Sequence, residues 1–312
     1  MVRFVIRVEM SGGAGAVVVR SRGSSAMLGA GDLMEDDMHL GEYRYGGRGT
    51  PGWTEAGYNA SGDAWRHADV LQGPIGSMQV TQEPPIRVME VLEPMYVGTR
   101  EDGQMVFDAG REVSGQCDLV LRASSVSEGG SEWCKAGTVI RFVYGETLFD
   151  NGTVMPVPAV PDRVHGGHLE QMGRYECGGS AGLDAAVVPN RFMYTGFRYV
   201  GVSGWGGAVP SASNPVLRCR SFHTDLANAS ELVLGPSVSA DGDESGVDAG
   251  YVLTRVVNAT RASGLENFMS IPTDCPTREK RGWMGDSGAA LLFMGAAFDM
   301  QTSYRKWLAD IR

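Results

Sequence analysis

The stretch Thr273–Ser287, TDCPTREKRGWMGDS, places three carboxylates, Asp274, Glu279 and Asp286, within thirteen residues. Arg278, Lys280, Arg281 and Trp283 are interleaved with them. Pro276, Gly282 and Gly285 argue against a continuous helix, because in a helix interior Gly costs roughly 1 kcal/mol and Pro about 3. The stretch therefore reads as a loop that brings charges of both signs together. Residues Ser287–Phe298 follow; they are apolar on all sides and read as a fully buried helix. Charge-dense loops set against rigid elements are where binding and catalysis concentrate. A mixed run such as Arg278–Arg281 is also the composition of an ordinary solvated loop, so charge alone does not assign a role.

Outward from this loop the chain changes texture. Downstream, Ser303–Arg312 is amphipathic, with Tyr304, Trp307, Leu308 and Ile311 on one face and Arg305, Lys306 and Asp310 on the other. Upstream, Gly246–Phe268 reads as a helix, with Leu253, Val256, Val257 and Thr260 at i, i+3, i+4 and i+7. Before about residue 225 the period is two. Candidate strands are Ile86–Leu92, Met105–Asp108, Cys117–Ala123, Val139–Tyr144, Arg191–Gly196 and Tyr199–Ser203, separated by Gly, Pro, Asn and Asp clusters as in a β-sandwich. Glu83-Pro84-Pro85 is excluded from a central strand and leads into the sandwich. Residues 3–10 alternate and, after a turn at 11–15, return as Ala16–Arg20 in a hairpin. Residues 23–64 are Gly-rich and polar.

The chain has 312 residues, enough for two domains or more, and 43% apolar residues, enough for a sizeable core. Its formal net charge of −10 argues against nucleic acid or an anionic membrane surface as the main partner. The longest apolar run, Ala289–Phe298, is too short to span a bilayer. The N-terminus carries charges throughout and does not read as a signal peptide. Four sequons begin at Asn59, Asn151, Asn228 and Asn258, too permissive a motif to establish a compartment. Cys117, Cys134, Cys177, Cys219 and Cys275 are odd in number, with no C-x-x-C spacing, and read as buried free thiols rather than a disulfide framework or metal cage. His165 and His168 form an H-x-x-H pair in a Gly-rich stretch, a weak spacing better read as solvated loop than metal site. Glu146, in a Tyr-Gly-Glu turn, reads as structural. No cofactor and no metal are expected.

The motifs resemble the bacterial-type α-L-rhamnosidases of glycoside hydrolase family 78. The resemblance rests first on DCPTREKRGWMGD (274–286), preceded by SIPT (270–273) and followed by YRKWLADIR (304–312). It continues upstream, in the family's order, through RFMYTGFRYVGVSGW (191–205), VYGETLFDNGTV (143–154), QEPPIRVMEVLEP (82–94) with FDAGREVSG (107–115), and HLGEYRYGGRGTPGW (39–53) with SGDAW (61–65). It implies a multidomain chain: all-β, in β-sandwich domains, followed by the first helices of an (α/α)6 barrel, incomplete. The implied divisions are 1–70, the C-terminal part of an N-terminal β-sandwich domain; 71–225, a central concanavalin-like sandwich; and 226–312, the N-terminal part of the six-hairpin catalytic domain. The chain is accordingly expected to be a fragment, truncated at both ends.

Hydrolysis of a glycoside uses a protonated carboxylic acid at the leaving oxygen and a second carboxylate that activates water or attacks the sugar. Glu279 is the acid candidate. Arg278 and Lys280 beside it favour its ionised form, so acid work there needs the opposing charges of Asp274 and Asp286 and a desolvating pocket. The resemblance assigns the same role to Glu279 and gives Asp274, Arg278, Trp283 and Asp286 to a rhamnose pocket. Fixed carboxylates accept hydrogen bonds from sugar hydroxyls, and the indole offers an apolar face to a deoxy sugar. The family inverts configuration and takes its general base from a later part of the barrel; nothing in this chain matches that base. The expected partner is a rhamnose-containing glycan or glycoside, with a second chain completing the barrel as a further expectation. The alternative is a catalytically incomplete relic whose sandwich binds carbohydrate or serves as scaffold.

Overall fold

A computed structural model describes residues 5–9, 16–20, 27–29, 31–39, 41–46, 55–59, 65–67, 80–120, 135–156, 172–178, 187–188, 191–204, 206, 217–231 and 249–312. The histidine pair at 165 and 168 lies outside them. Mostly β-structure is followed by three helices, the order expected from the change of period. The N-terminal hairpin forms, with Val5–Glu9 antiparallel to Ala16–Arg20.

One ten-stranded sheet organises the β-region. Its path runs Leu33–Asp37, Gly41–Tyr45, Met172–Glu176, Val139–Gly145, Thr195–Ser203, Met105–Val120, Leu217–Thr224 and Ile86–Leu92. Strands Met95–Thr99 and Val187–Val188 add to opposite halves of Met105–Val120. All the pairings are antiparallel except Gly41–Tyr45 against Met172–Glu176. The strands expected separately at 105–108 and 117–123 are one element through residue 120. Gly110, at φ 79°, carries the chain across a bend that an L-side chain adopts with strain. Asp108 accepts the Gly110 N–H at 2.7 Å and stays paired to Arg198. Likewise 191–196 and 199–203 do not form two strands: Thr195–Ser203 is continuous, with a register shift between Phe197 and Tyr199.

The alternating apolar positions meet in one core. Phe107, Leu119, Ile140, Phe142, Phe197, Val200, Val202 and Leu217 are almost fully buried, each contributing roughly 1.5–3 kcal/mol relative to exposure. Within it, Cys117 and Cys219 face one another across neighbouring antiparallel strands and are disulfide-bonded. Cys177 is disulfide-bonded as well. Both findings correct the free-thiol reading. Cys117 and Cys219 lie 102 residues apart in sequence, and strand register brings them together where spacing gives no sign of it. Among the described cysteines only Cys275 is free.

Strands 33–37 and 41–45 hydrogen-bond into this same sheet. A buried ion pair secures them: Glu42 accepts from Arg44 at 2.9 Å and from the backbone N–H of Phe192 at 2.8 Å. Met38 lies beside Tyr194, close enough for their carbonyls to share one donor.

Helix α1 spans Ala249–Glu266, α2 Met284–Ala297 and α3 Gln301–Ile311. A second core of Leu226, Phe268, Met294, Ala297, Phe298 and Met300 joins them. The expectation that Ser287–Phe298 is fully buried is not met. On α2 only Ser287, Met294 and Ala297 are buried, and Leu292 is 84% exposed. Leu253 and Val256 on α1 and Leu308 and Ile311 on α3 are exposed too. Their composition asks for neighbours on every side, and three helices supply only some of them. Among the described residues no helix is long and apolar enough to cross a membrane.

Candidate active site

The loop 273–283 is built on three internal anchors. Phe268–Met269 and Ile271–Pro272 form a two-residue ribbon leading out of α1, and Thr273 bonds back to the Asn267 carbonyl through its N–H at 2.8 Å. Asp274 closes the loop from inside: its N–H donates to the Arg281 carbonyl at 3.0 Å, and its Oδ1 accepts the Arg281 N–H at 2.9 Å. Cys275 Sγ accepts the N–H groups of Arg278 and Glu279 at 3.4 and 3.2 Å. This half-buried thiol thus organises the turn and is not placed as a nucleophile.

Glu279 is half-buried. Its Oε2 accepts the Trp283 indole N–H at 2.6 Å, and Oε1 lies 3.7 Å from Arg278 Nη2. Trp283 is 49% exposed and opens α2, its carbonyl accepting the Ser287 N–H at 3.1 Å and the Ser287 hydroxyl at 2.8 Å. Asp286 stands in the first turn of α2, where the partial positive charge of a helix N-terminus favours a carboxylate. Asp274 and Asp286 together line a cleft of about 400 Å³ between the helices, with Asn267, Phe268, Phe293 and Tyr304. Glu279 is not among the residues lining that cleft. So Arg278, Glu279 and Trp283 meet in one loop with Asp274, and Asp286 shares the wall of the cleft with Asp274 alone among them. Among the described residues no cluster of His, Cys, Asp or Glu could hold a metal ion.

The β-sheet holds this loop from below. The Gly196 N–H donates to the Pro276 carbonyl at 3.0 Å. A side chain at Gly196 would come within 2.6 Å of Thr277 Cγ2 and 2.7 Å of Pro276 Cγ, so only glycine permits this approach. Lys280 is buried, its Nζ donating to the Met38 and Tyr194 carbonyls at 2.7 and 2.6 Å. His39 Nε2 lies 3.0 Å from the Glu279 carbonyl oxygen. Sequence reasoning passed over Lys280, His39, Tyr194 and Gly196. Lys280 looked like part of a solvated charge run, and the partners of the loop lie 86 and 240 residues from it.

Helix α1 docks on the same sheet through Glu266. Its carboxylate accepts the Ser114 N–H, and its carbonyl accepts the Ser114 hydroxyl at 2.8 Å. Arg111 lies 3.6 Å from Glu266 Oε1. Burial raises the Glu266 carboxyl from 4.5 to about 7, against the lowering pull of the Ser114 N–H and Arg111. Burial likewise lowers the Lys280 ammonium from 10.5 to about 7. The signs differ. The folded state binds the Glu266 proton more tightly than the unfolded chain, so its contribution to stability is full below pH 4.5 and is lost as pH rises to about 7. Lys280 releases its proton earlier when folded, so its contribution grows as pH rises from about 7 towards 10.5. Urea midpoints measured across this range are expected to pass through a minimum near neutrality, and Glu266→Gln to flatten the acid limb. An acid limb unchanged in that variant contradicts the assignment.

Comparison with known proteins accords with this architecture. Residues 98–219 match the bacterial α-L-rhamnosidase concanavalin-like domain, and residues 250–312 the bacterial α-L-rhamnosidase 6 hairpin glycosidase domain. Curated relatives include an α-L-rhamnosidase of Formosa agariphila, 27% identical over 264 residues, which are 83% of this chain and 24% of that protein. Another, from Streptomyces avermitilis, is 26% identical over 287 residues, 91% of this chain and 24% of that protein. The chain thus spans about a quarter of the length of these relatives. Among solved structures, the α-L-rhamnosidase from Dictyoglumus thermophilum superposes with TM-score 0.73 at 24% identity, over 96% of this chain and 29% of that one. The Streptomyces avermitilis α-L-rhamnosidase complexed with L-rhamnose superposes with TM-score 0.71 at 24% identity, over 98% of this chain and 26% of that one. At this identity the superpositions establish the fold. The two domain matches place the chain in a class in which a concanavalin-like β-domain precedes a six-hairpin glycosidase domain. Within that class it belongs to the bacterial α-L-rhamnosidase family.

Proposed function

We propose that this chain supplies the acid half of an inverting α-L-rhamnosidase site. Glu279 protonates the leaving oxygen of a terminal α-L-rhamnoside. Asp274 and Asp286 accept hydrogen bonds from the sugar hydroxyls, Arg278 donates to them, and Trp283 presents its exposed ring to the deoxy face. The observation that carries this reading is the convergence of Glu279, Trp283 and Arg278 within hydrogen-bond or ion-pair reach, in a loop whose own hydrogen bonds fix Asp274 beside them.

Inversion needs a second carboxylate on the opposite face of the sugar, about 6.5–9.5 Å from the acid, with room for a water between them. Neither aspartate suits that role. Asp274 Oδ1 is committed to the Arg281 N–H, and Asp286 has its place in the cleft beside Asp274. The base is assigned to another part of the six-hairpin domain. The exposed apolar faces of α1, α2 and α3 are where further helices of that domain would pack, in this polypeptide or from a second chain. The 312 residues by themselves are proposed to bind rhamnose weakly and to lack turnover. The experiment is hydrolysis of aryl α-L-rhamnosides by residues 1–312 joined to the rest of a relative's six-hairpin domain, with Glu279→Gln as the control. Full activity in that variant removes Glu279 from the acid role.

A further inference from the structure

We propose that Lys280 is a positioning residue, a buried peg that fixes the Glu279 carboxylate by pinning the loop backbone to the β-sheet. The inference rests on the reading of Glu279 as the acid. Lys280 follows Glu279 directly, so whatever fixes its backbone fixes the acid. Its φ is 54°, a left-handed conformation that a non-glycine residue keeps only where its surroundings over-determine it. What holds it is visible. The side chain is 6% exposed. Its Nζ donates to the carbonyls of Met38 and Tyr194, which are far apart in sequence and side by side in space, and stands 5.0 Å from the centre of the Tyr194 ring. An ammonium has three protons and no acceptor; two carbonyls and an aromatic face match it.

The same strands grip the neighbouring residue. His39, next to Met38, meets the Glu279 carbonyl at 3.0 Å. Residues 38–39 are placed by the strand that starts at Gly41, and Tyr194 by the strand that starts at Thr195. Two parts of the β-region separated widely in sequence therefore converge on one dipeptide of the loop. The titratable groups facing the peg are Cys275 and Asp37, which favour its charge. Tyr194 is kept in its protonated form by burial. His39 sits 3.9 Å from Asp37. Desolvation opposes the charge and outweighs these groups, so the carbonyls and the ring are what keep the amine seated.

The chain has three lysines, Lys135, Lys280 and Lys306. Reductive methylation of the folded, intact 312-residue chain is expected to modify Lys135 readily and Lys280 slower by roughly tenfold or more, since Lys280 must open to react. Trp283 reports on the acid itself, because its indole N–H is bonded to Glu279. In protein labelled with ¹⁵N-tryptophan, Trp283→Phe identifies its signal among the six indoles. Lys280→Met is expected to move that signal towards its position in Glu279→Gln and to leave the other five unchanged. Lys280→Arg, which keeps the charge and the donors, is expected to return it part of the way. A Trp283 signal in Lys280→Met that superimposes on the wild type overturns the proposal. Should Lys280→Met yield no folded protein, methylation of the wild-type chain decides: Lys280 reacting as fast as Lys135 overturns it. Both expected results in a chain that binds no rhamnose would refute the sugar-site reading and leave the role of Lys280 standing.

Discussion

Glu279→Gln is expected to lower kcat on a rhamnoside with a poor leaving group by about 10²–10⁴-fold, the span over which a positioned general acid contributes. The assay uses residues 1–312 joined to the remainder of the six-hairpin domain of the Streptomyces avermitilis relative. The substitution is nearly isosteric. A glutamine oxygen still accepts the Trp283 indole N–H that Glu279 Oε2 receives at 2.6 Å, so loop geometry is retained while the transferable proton is lost. The loss should depend on the leaving group. A dinitrophenolate departs without protonation, so its rhamnoside should be hydrolysed at close to the wild-type rate, whereas an alkyl rhamnoside should show the full loss. KM should change little, because sugar contacts are assigned to Asp274, Arg278, Trp283 and Asp286. Equal losses on both substrates would mean that Glu279 positions the sugar and does not protonate it.

The second large effect concerns stability. Removing the bond between Cys117 and Cys219 with Cys117→Ala and Cys219→Ala is expected to cost about 2–5 kcal/mol, seen as a lower urea midpoint. The two residues are separated by 102 positions in sequence and are both fully buried. In the chain-entropy account, a cross-link around a loop of that size restricts the unfolded ensemble by about 4.7 kcal/mol. The strand pairing of Leu217–Thr224 with Met105–Val120 is made by backbone hydrogen bonds that the substitutions do not remove, so the variant should fold, and its unfolding slope should rise as the unfolded chain expands. An unchanged midpoint would show that the cross-link does not constrain the unfolded chain.

Local patterns were legible in the sequence where one segment carries the whole signal. The mostly apolar run Ile86–Leu92, entered from Pro84-Pro85, marked that strand with its observed bounds. The switch of period near residue 225 separated sheet from helices, and α1 and α3 fell close to their expected limits. Signals made by two distant segments were not legible. The parallel pairing of Gly41–Tyr45 with Met172–Glu176 and the facing of Cys117 and Cys219 depend on register, which no single stretch displays. The burial of α2 was overestimated for a related reason. Composition reports the neighbours a helix can accept, whereas exposure at Leu292 reports the neighbours it has.

The candidate site divides the same way. Asp274, Glu279, Trp283 and Asp286 lie within thirteen residues, so motif reading found them together. Lys280 sits among them and was misread, because an exposed charge run and a buried peg have the same composition. Its partners Met38 and Tyr194 contribute backbone carbonyls, for which no residue type is diagnostic. Gly196 matters through the side chain it lacks.

The central claim is that this loop and the first turn of α2 recognise rhamnose. Saturation-transfer NMR with L-rhamnose and the 312-residue chain tests it without requiring turnover. Transfer to the sugar's methyl group is expected, through contact with the exposed Trp283 ring, and it should be lost in Asp274→Asn/Asp286→Asn. Absence of transfer to L-rhamnose, or transfer undiminished in the double variant, would contradict the account.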